Sequence, residues 1–221
     1  MDAIKKLFNY EGTEKFVVVN SNDSLVRLTA FSVFFKGKEL GNISKLLDSS
    51  EIYQPQMEDT KLEEILKSSF ISRTLSNYHN TIFVMNLNCG FKDKTNAKVF
   101  YEAGIFINGR NYHDSSPIET IMHELGHIFH FAVTEGGYSH TQHLDDILSS
   151  EEVKNDIALQ GYWLCISDRA GENLFKEQYA DLYMISYLYQ TSDTYEKHQI
   201  YSLINDETKK IISEQFEKYY L

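Results

Sequence analysis

The sequence has few cysteines and no long apolar run. Its two cysteines, Cys89 and Cys165, lie far apart and outside any C-x-x-C spacing, so we expect idle or buried thiols and no disulfide framework. No apolar run approaches the roughly 18 residues of a membrane span, and the N-terminal residues lack the apolar segment of a signal peptide. These absences predict a soluble protein that is cytoplasmic or exported without a cleaved leader.

The sequence also has few cationic residues. It contains 21 Lys and Arg residues and 32 Asp and Glu residues, which gives a net charge of −11. A general nucleic-acid binder needs clustered cations, so we expect no nucleic-acid partner. The chain also lacks a G-x-S-x-G elbow and a cysteine nucleophile signature, which argues against serine and cysteine hydrolases. With 221 residues, 42% of them hydrophobic, the chain can bury a substantial core.

The stretch His-Glu-Leu-Gly-His at 123–127 points to metal chemistry. On a helix, His123 and His127 project from the same face one turn apart and can reach a single Zn²⁺ ion. Glu124 lies about 100° around the helix and can take the proton of a zinc-bound water. This pattern is the signature of zincin metallopeptidases, and the alternative is a chance match on an ordinary amphipathic helix.

The flanking sequence predicts the helix that the motif requires. Ser116 is the expected N-cap, Pro117 the first helical residue and Glu119 the partner in a capping box. A Gly-Gly pair at 136–137 is expected to end the helix. Apolar residues recur with helical period at Ile118, Ile121, Met122, Leu125, Phe129 and Ala132.

A catalytic zinc needs a third protein ligand and an open position for water. The metzincin spacing requires glycine at 130 and histidine at 133, where this chain has His130 and Val133, so that class is excluded. A later predicted helix offers Glu177 as the ligand and Asp181, one turn further, as the acceptor for the N–H of His123. The small residue between them, at position 180, would let the helix approach the metal closely.

Other residues remain as alternatives for the third ligand, although none has the same helical support. His130 is interpreted as a partly buried histidine beside the site or a surface histidine, and the two loop histidines as surface residues or residues lining the cleft, with the surface favoured. The remaining alternatives are Glu172, His140, His143 and the Asp145-Asp146 pair.

The motif at 123–127, preceded by Gly-Ile-Phe-Ile-Asn-Gly at 104–109 and followed about fifty residues later by Glu-Gln-Tyr-Ala-Asp at 177–181, resembles the catalytic domain of anthrax toxin lethal factor and its relatives, the Pro-Pro endopeptidases. The resemblance covers about residues 81–221. It implies an α+β zincin-like fold with a small mixed sheet and active-site helices. It also implies a gluzincin-type peptidase in which the first acid of the E-x-x-A-E pattern, here Glu177, binds zinc.

Two positions depart from the family pattern. The second acid is Asp181 instead of glutamate, which is chemically tolerable. The family also has a tyrosine seven residues before the third ligand, whose hydroxyl donates to the oxyanion, and this chain has Ala170 there. Tyr162 fills that role if residues 167–173 form an inserted loop, and a core or surface tyrosine is the alternative.

The remaining sequence predicts two parts, an N-terminal α/β subdomain at 1–80 for substrate or partner recognition and a catalytic domain at 81–221. The strand at 104–108 is a candidate sheet edge for pairing with peptide substrate, or an ordinary strand. The other predicted strands are 15–20, 25–35, 81–87 and 98–107, and the other predicted helices are 43–48, 60–76, 173–189 and 208–219.

These patterns predict a zinc metalloendopeptidase that acts on a peptide or protein substrate. One alternative is a toxin-like or regulatory zincin that recognises a single protein target through residues 1–80. Another is a zinc-stabilised binding protein without catalysis, suggested by the missing tyrosine.

Overall fold

The computed structural model divides the chain into two compact units, Met1–Ser68 with Tyr78–His113, and Ser69–Asn77 with Asp114–Leu221. This division differs from the predicted boundary at residue 80, because 81–113 group with the N-terminal part. Most of the described residues are helical. The structure describes residues 16–20, 47–48, 59–75, 82–86, 90–92, 95, 97–100, 105–108, 116–135, 139–191 and 200–220.

The first unit contains a four-stranded mixed sheet whose strands are rich in β-branched and aromatic residues. The strands in the described part of this unit are β1 Phe16–Asn20, β2 Leu47–Asp48, β3 Ile82–Asn86, β4 Gly90–Phe91, β5 Ala97–Phe100 and β6 Ile105–Asn108, and the described residues also include the helix α1 Asp59–Leu66. The sheet order is β1-β3-β6-β5, with β1–β3 and β3–β6 parallel and β5–β6 antiparallel. Strands β2 and β4 form a separate antiparallel pair.

Several predictions for this unit can be compared with these strands. The strands predicted at 15–20, 81–87 and 98–107 are confirmed in their described parts, whereas 25–35 lies outside the described residues. The helix predicted at 43–48 is wrong for Leu47–Asp48, which pair with β4. The sheet-edge hypothesis for 104–108 is also wrong, because β6 pairs with strands on both sides.

The second unit consists of helices in its described part. They are α2 Ser69–Leu75, α3 Pro117–Val133, α4 Gln142–Ser149, α5 Glu151–Asn155, α6 Ile157–Ala170, a 3-10 turn at Gly171–Asn173, α7 Leu174–Thr191, α8 Ile200–Leu203 and α9 Asp206–Tyr220. Helix α7 packs against α3, α6 and α9. The core between α3, α7 and α9 includes Ile121, Leu125, Phe129, Leu182, Tyr183, Ile212 and Phe216, all fully buried.

Helix α3 begins as predicted. The Ser116 side chain accepts the backbone N–H of Glu119, and Pro117 is the first helical residue. The helix ends at Val133, and the Gly-Gly pair at 136–137 lies outside the described residues. The predicted apolar stripe is buried except for its last member, Ala132, which is half-buried.

Helices α4, α5 and α6 lie in a stretch where the sequence patterns predicted no helix. Each begins with a side-chain cap, in which Thr141, Ser150 and Asp156 accept the N–H of the residue three positions later. The inserted loop predicted at 167–173 is wrong, because 167–170 form the last turn of α6 and 171–173 form the 3-10 turn. Gly171, with φ 54°, ends α6 in the left-handed region that glycine tolerates.

No described helix is both long enough and apolar enough to cross a lipid bilayer. Cys165 carries a free, exposed thiol, and Cys89 lies outside the described residues.

Asp156 generates a prediction about stability. Its buried carboxylate accepts the N–H of Leu159 at 3.0 Å and that of Asn205 at 2.9 Å, which ties the start of α6 to the residue before α9. We expect Asp156→Ala to lower the free energy of unfolding by about 2–4 kcal/mol, because a cap is lost and a second donor loses its acceptor. Denaturant unfolding measures this change. The matched control, Ser150→Ala, removes one capping bond and should lower the free energy of unfolding by about 1 kcal/mol. Equal losses in the two variants would contradict the proposed link between α6 and the residue before α9.

Candidate metal centre

The two histidines of the motif converge on one point in the second unit. Both project from α3 with their ring planes nearly perpendicular, at 89°. Their Nε2 atoms lie 3.1 Å apart. Two imidazole nitrogens therefore face a common space, as two ligands of one ion would.

Glu177, in the first turn of α7, brings a carboxylate to the same space. Its Oε2 lies 3.3 Å from His123 Nε2, and its Oε1 lies 3.7 Å from His127 Nε2. Zinc bonds of about 2.0–2.1 Å at tetrahedral angles separate neighbouring ligand atoms by about 3.3–3.4 Å. The three side chains, whose ligand atoms all lie within 4.8 Å of one another, therefore fit a zinc ion in both chemistry and spacing.

Asp181 lies one turn beyond Glu177 and holds His123 in place. Its Oδ1 accepts the Nδ1–H of His123 at 2.7 Å, the contact that the spacing predicted. When the ring is neutral, this hydrogen bond keeps the remaining proton on Nδ1 and leaves the Nε2 lone pair for a metal. The other carboxylate oxygen, Oδ2, accepts the indole N–H of Trp163 at 2.8 Å. Sequence reasoning missed Trp163, because only the packing of α6 brings it to Asp181.

The charges of His123 and its acidic neighbours stabilise one another. Burial opposes the charge of His123, but Asp181 and Glu177 raise its pKa well above the usual value. Burial also opposes the charge of Glu177, but hydrogen bonds from His123 and His127 hold its pKa well below the usual range. A metal ion would replace the proton on His123 Nε2, so metal affinity should fall in acid.

The close approach of α3 and α7 depends on two small residues. A Cβ added at Gly126 would lie 2.7 Å from the Cα and 2.8 Å from the carbonyl oxygen of Ala180. The helices are therefore in backbone contact between the two histidines on α3 and the two acids on α7. Ala180 was predicted to allow a close approach, whereas the role of Gly126 was missed.

Glu124 and Tyr162 lie near the three ligands. Glu124 is half-buried on α3, and its charge contributes to the raised pKa of His123. Tyr162 is half-buried on α6, and the charge of Asp181, then burial, then the charge of Glu177 raise the pKa of its phenol. The structure therefore brings both predicted catalytic residues to the neighbourhood of the site, and their catalytic roles stay predictions.

The alternative ligands lie elsewhere. His130 is buried, stacks on Tyr179 with ring centroids 4.2 Å apart and contacts the carbonyl of Ser139. His140 is exposed as expected and pairs with Asp145. Glu172 is exposed in the 3-10 turn, and Asp146 binds the hydroxyl of Tyr219. Among the described residues, the grouping of His, Cys, Asp and Glu able to hold a metal is His123, His127 and Glu177.

His143 corrects a prediction, since it is buried and not at the surface. Its ring is only 2% exposed and packs against the C-terminal helix. The aromatic neighbours are Tyr179, Phe216, Tyr219 and Tyr220. A polar position in the sequence is thus part of the core, because distant aromatic residues of α9 cover it.

Comparison with known proteins identified no relative, since no family model, no curated protein and no solved structure matches this chain. The interpretation of the site therefore depends on its residues and their geometry.

Gly126→Ala tests the helix crossing. The new methyl group would collide with the backbone of Ala180, so we expect a loss of about 1–3 kcal/mol in the free energy of unfolding and weaker zinc binding. Gly161→Ala is the matched control, because nothing lies within 4 Å of the added Cβ and alanine favours a helix by up to about 1 kcal/mol. Denaturant unfolding and zinc titration are measured for both variants. Equal effects of the two substitutions on stability and zinc affinity would contradict the close contact of α3 and α7 at Gly126.

His143 generates a prediction about pH. Burial lowers its pKa to about 4, although the charge of Asp146 opposes this shift. Because the unfolded chain binds this proton at higher pH than the folded one, stability from this group is present above about pH 6.5 and is lost as the pH falls towards 4. His143→Phe should remove a slope of up to about 1.4 kcal/mol per pH unit from metal-free protein in this window. Unfolding with a chelator at several pH values tests this, and parallel curves for the two proteins would contradict it.

Proposed function

We propose that this protein is a zinc-dependent metalloendopeptidase of the gluzincin type, with a zincin-like fold. The observation that carries the proposal is the convergence of His123, His127 and Glu177 from two helices, at separations that suit the ligands of one zinc ion. The resemblance to the lethal factor and Pro-Pro endopeptidase family supports it from the sequence side. The substrate is a peptide or protein.

His123, His127 and Glu177 would hold the zinc ion, which would supply Lewis-acid activation of the attacking water. Glu124, next to His123 on α3, would take a proton from that water and pass it to the departing amine. Asp181 keeps His123 in the tautomer that leaves Nε2 free.

Tyr162 is the candidate donor for the carbonyl oxygen of the scissile bond. The neighbouring carboxylates and burial raise the pKa of its phenol, so the hydroxyl keeps its proton at neutral pH. A protonated hydroxyl can donate to the oxygen as negative charge develops there. This role replaces that of the family tyrosine, whose position is Ala170 here.

Glu124→Ala separates metal binding from catalysis. We expect it to bind zinc as the parental protein does and to lose at least about 10²-fold in the rate of peptide cleavage, because the base that moves the proton is gone. Mass-spectrometric mapping of cuts in a proteome-derived peptide library, with elemental analysis of zinc, gives both readouts. His127→Ala, the control for the metal, should lose zinc. Cleavage by Glu124→Ala at the parental rate would contradict the base assignment, and a parental protein that binds zinc but cuts nothing would contradict the peptidase proposal.

A further inference from the structure

Trp163 is the one tryptophan of the chain, and its ring is buried, with 3% of the residue exposed. Its indole N–H donates to Oδ2 of Asp181, which is itself only 2% exposed. A buried indole N–H needs an acceptor and a buried carboxylate needs donors. The pair therefore satisfies two groups whose burial would otherwise be costly.

Both oxygens of Asp181 have a donor in a fixed direction. Oδ1 accepts from His123 on α3 at 2.7 Å, and Oδ2 accepts from Trp163 on α6 at 2.8 Å. Rotation of the carboxylate, or its movement toward the space between the histidines and Glu177, would break a buried charge-assisted hydrogen bond. The orientation of Asp181, which is a residue of α7, is thus fixed from two other helices.

We propose that Trp163 is a positioning residue of the metal centre, whose indole N–H holds Asp181 as the partner of His123 and keeps its second oxygen from becoming a further metal ligand. This inference rests on the proposed zinc site. Without the indole N–H, Asp181 can rotate, and His123 loses its fixed tautomer and ring direction. Loss of such an outer partner typically weakens metal affinity about 10–100-fold.

The test measures zinc affinity by competition with a chromogenic chelator, so that removal of the tryptophan fluorophore does not affect the readout. Trp163→Phe keeps an aromatic ring without the N–H and should raise the zinc dissociation constant at least tenfold. Because the chain has a single tryptophan, biosynthetic replacement by 3-benzothienylalanine alters this position alone. That analogue keeps the bicyclic shape and lacks the N–H, and it should weaken zinc binding to a similar extent.

Tyr183→Phe is the matched control. It removes a hydroxyl that lies 2.8 Å from Thr74 Oγ1 in the same unit, so it deletes one buried hydrogen bond that involves neither Asp181 nor the proposed metal ligands. Thermal unfolding of metal-free protein will compare the stability of the variants. We expect Tyr183→Phe to change stability while leaving the zinc dissociation constant within about twofold of the parental value.

A double-mutant cycle with Asp181→Asn tests whether the indole acts through the carboxylate. If it does, Trp163→Phe should weaken zinc binding little further once Asp181 has been replaced, because the two changes interrupt one chain of hydrogen bonds. Parental zinc affinity in the benzothienyl protein, or full additivity in the cycle, would overturn this inference and leave the proposed function standing. A parental protein that binds no zinc would overturn both.

Discussion

The proposed metal centre depends on the backbone contact of α3 with α7 at Gly126 and Ala180. Both residues lie inside the motifs that they bring together, Gly126 between the histidines and Ala180 between the acids. A carboxylate can share a metal with two imidazoles only if their atoms lie within a few ångströms. Larger residues at positions 126 and 180 would push the two helices apart. Rotation of the side chains could not close that gap, because Asp181 must hydrogen-bond to His123 while Glu177 reaches the two imidazoles. Gly126 and Ala180 are therefore as necessary to the site as the residues proposed as its ligands.

His123 and its acidic neighbours determine one another's charge. The raised pKa of His123 and the lowered pKa of Glu177 have one origin, a partly buried cluster in which the imidazole and the carboxylates stabilise each other's charged forms. A divalent ion would satisfy the same acids more completely, because it binds both histidines and Glu177 together. Binding of the proposed metal ion and folding of this unit would thus be coupled, since the ion would bind an arrangement that the unfolded chain does not have.

The features that depend only on residues close together in the sequence could be predicted. Helix α3 has its cap at Ser116 and its apolar stripe within one stretch, and the spacing of Glu177 and Asp181 specifies one helix face. Properties that arise only when helices pack were not predictable in this way. Trp163 could have been suspected as the lone tryptophan of the chain, in a short apolar stretch, but its acceptor is known only from the packing of α6. His143 looks polar in sequence and is buried because α9 covers it, and β6 is an internal strand because it pairs with β3 as well as with the preceding β5.

Tyr162 lies on α6, fifteen residues before Glu177, and the charges of Asp181 and Glu177 act on its phenol. The family spacing of seven suggested an inserted loop, but the added residues are helical, since α6 continues for about two turns beyond Tyr162 and a 3-10 turn leads directly into α7. A helical connection has a fixed length and direction, whereas a long loop would leave the position of Tyr162 variable. The hydrogen bond from the neighbouring Trp163 to Asp181 further restrains α6, because it links α6 to α7 at the residue next to Tyr162. The same contact that orients the metal ligand therefore also fixes the position of the proposed oxyanion donor.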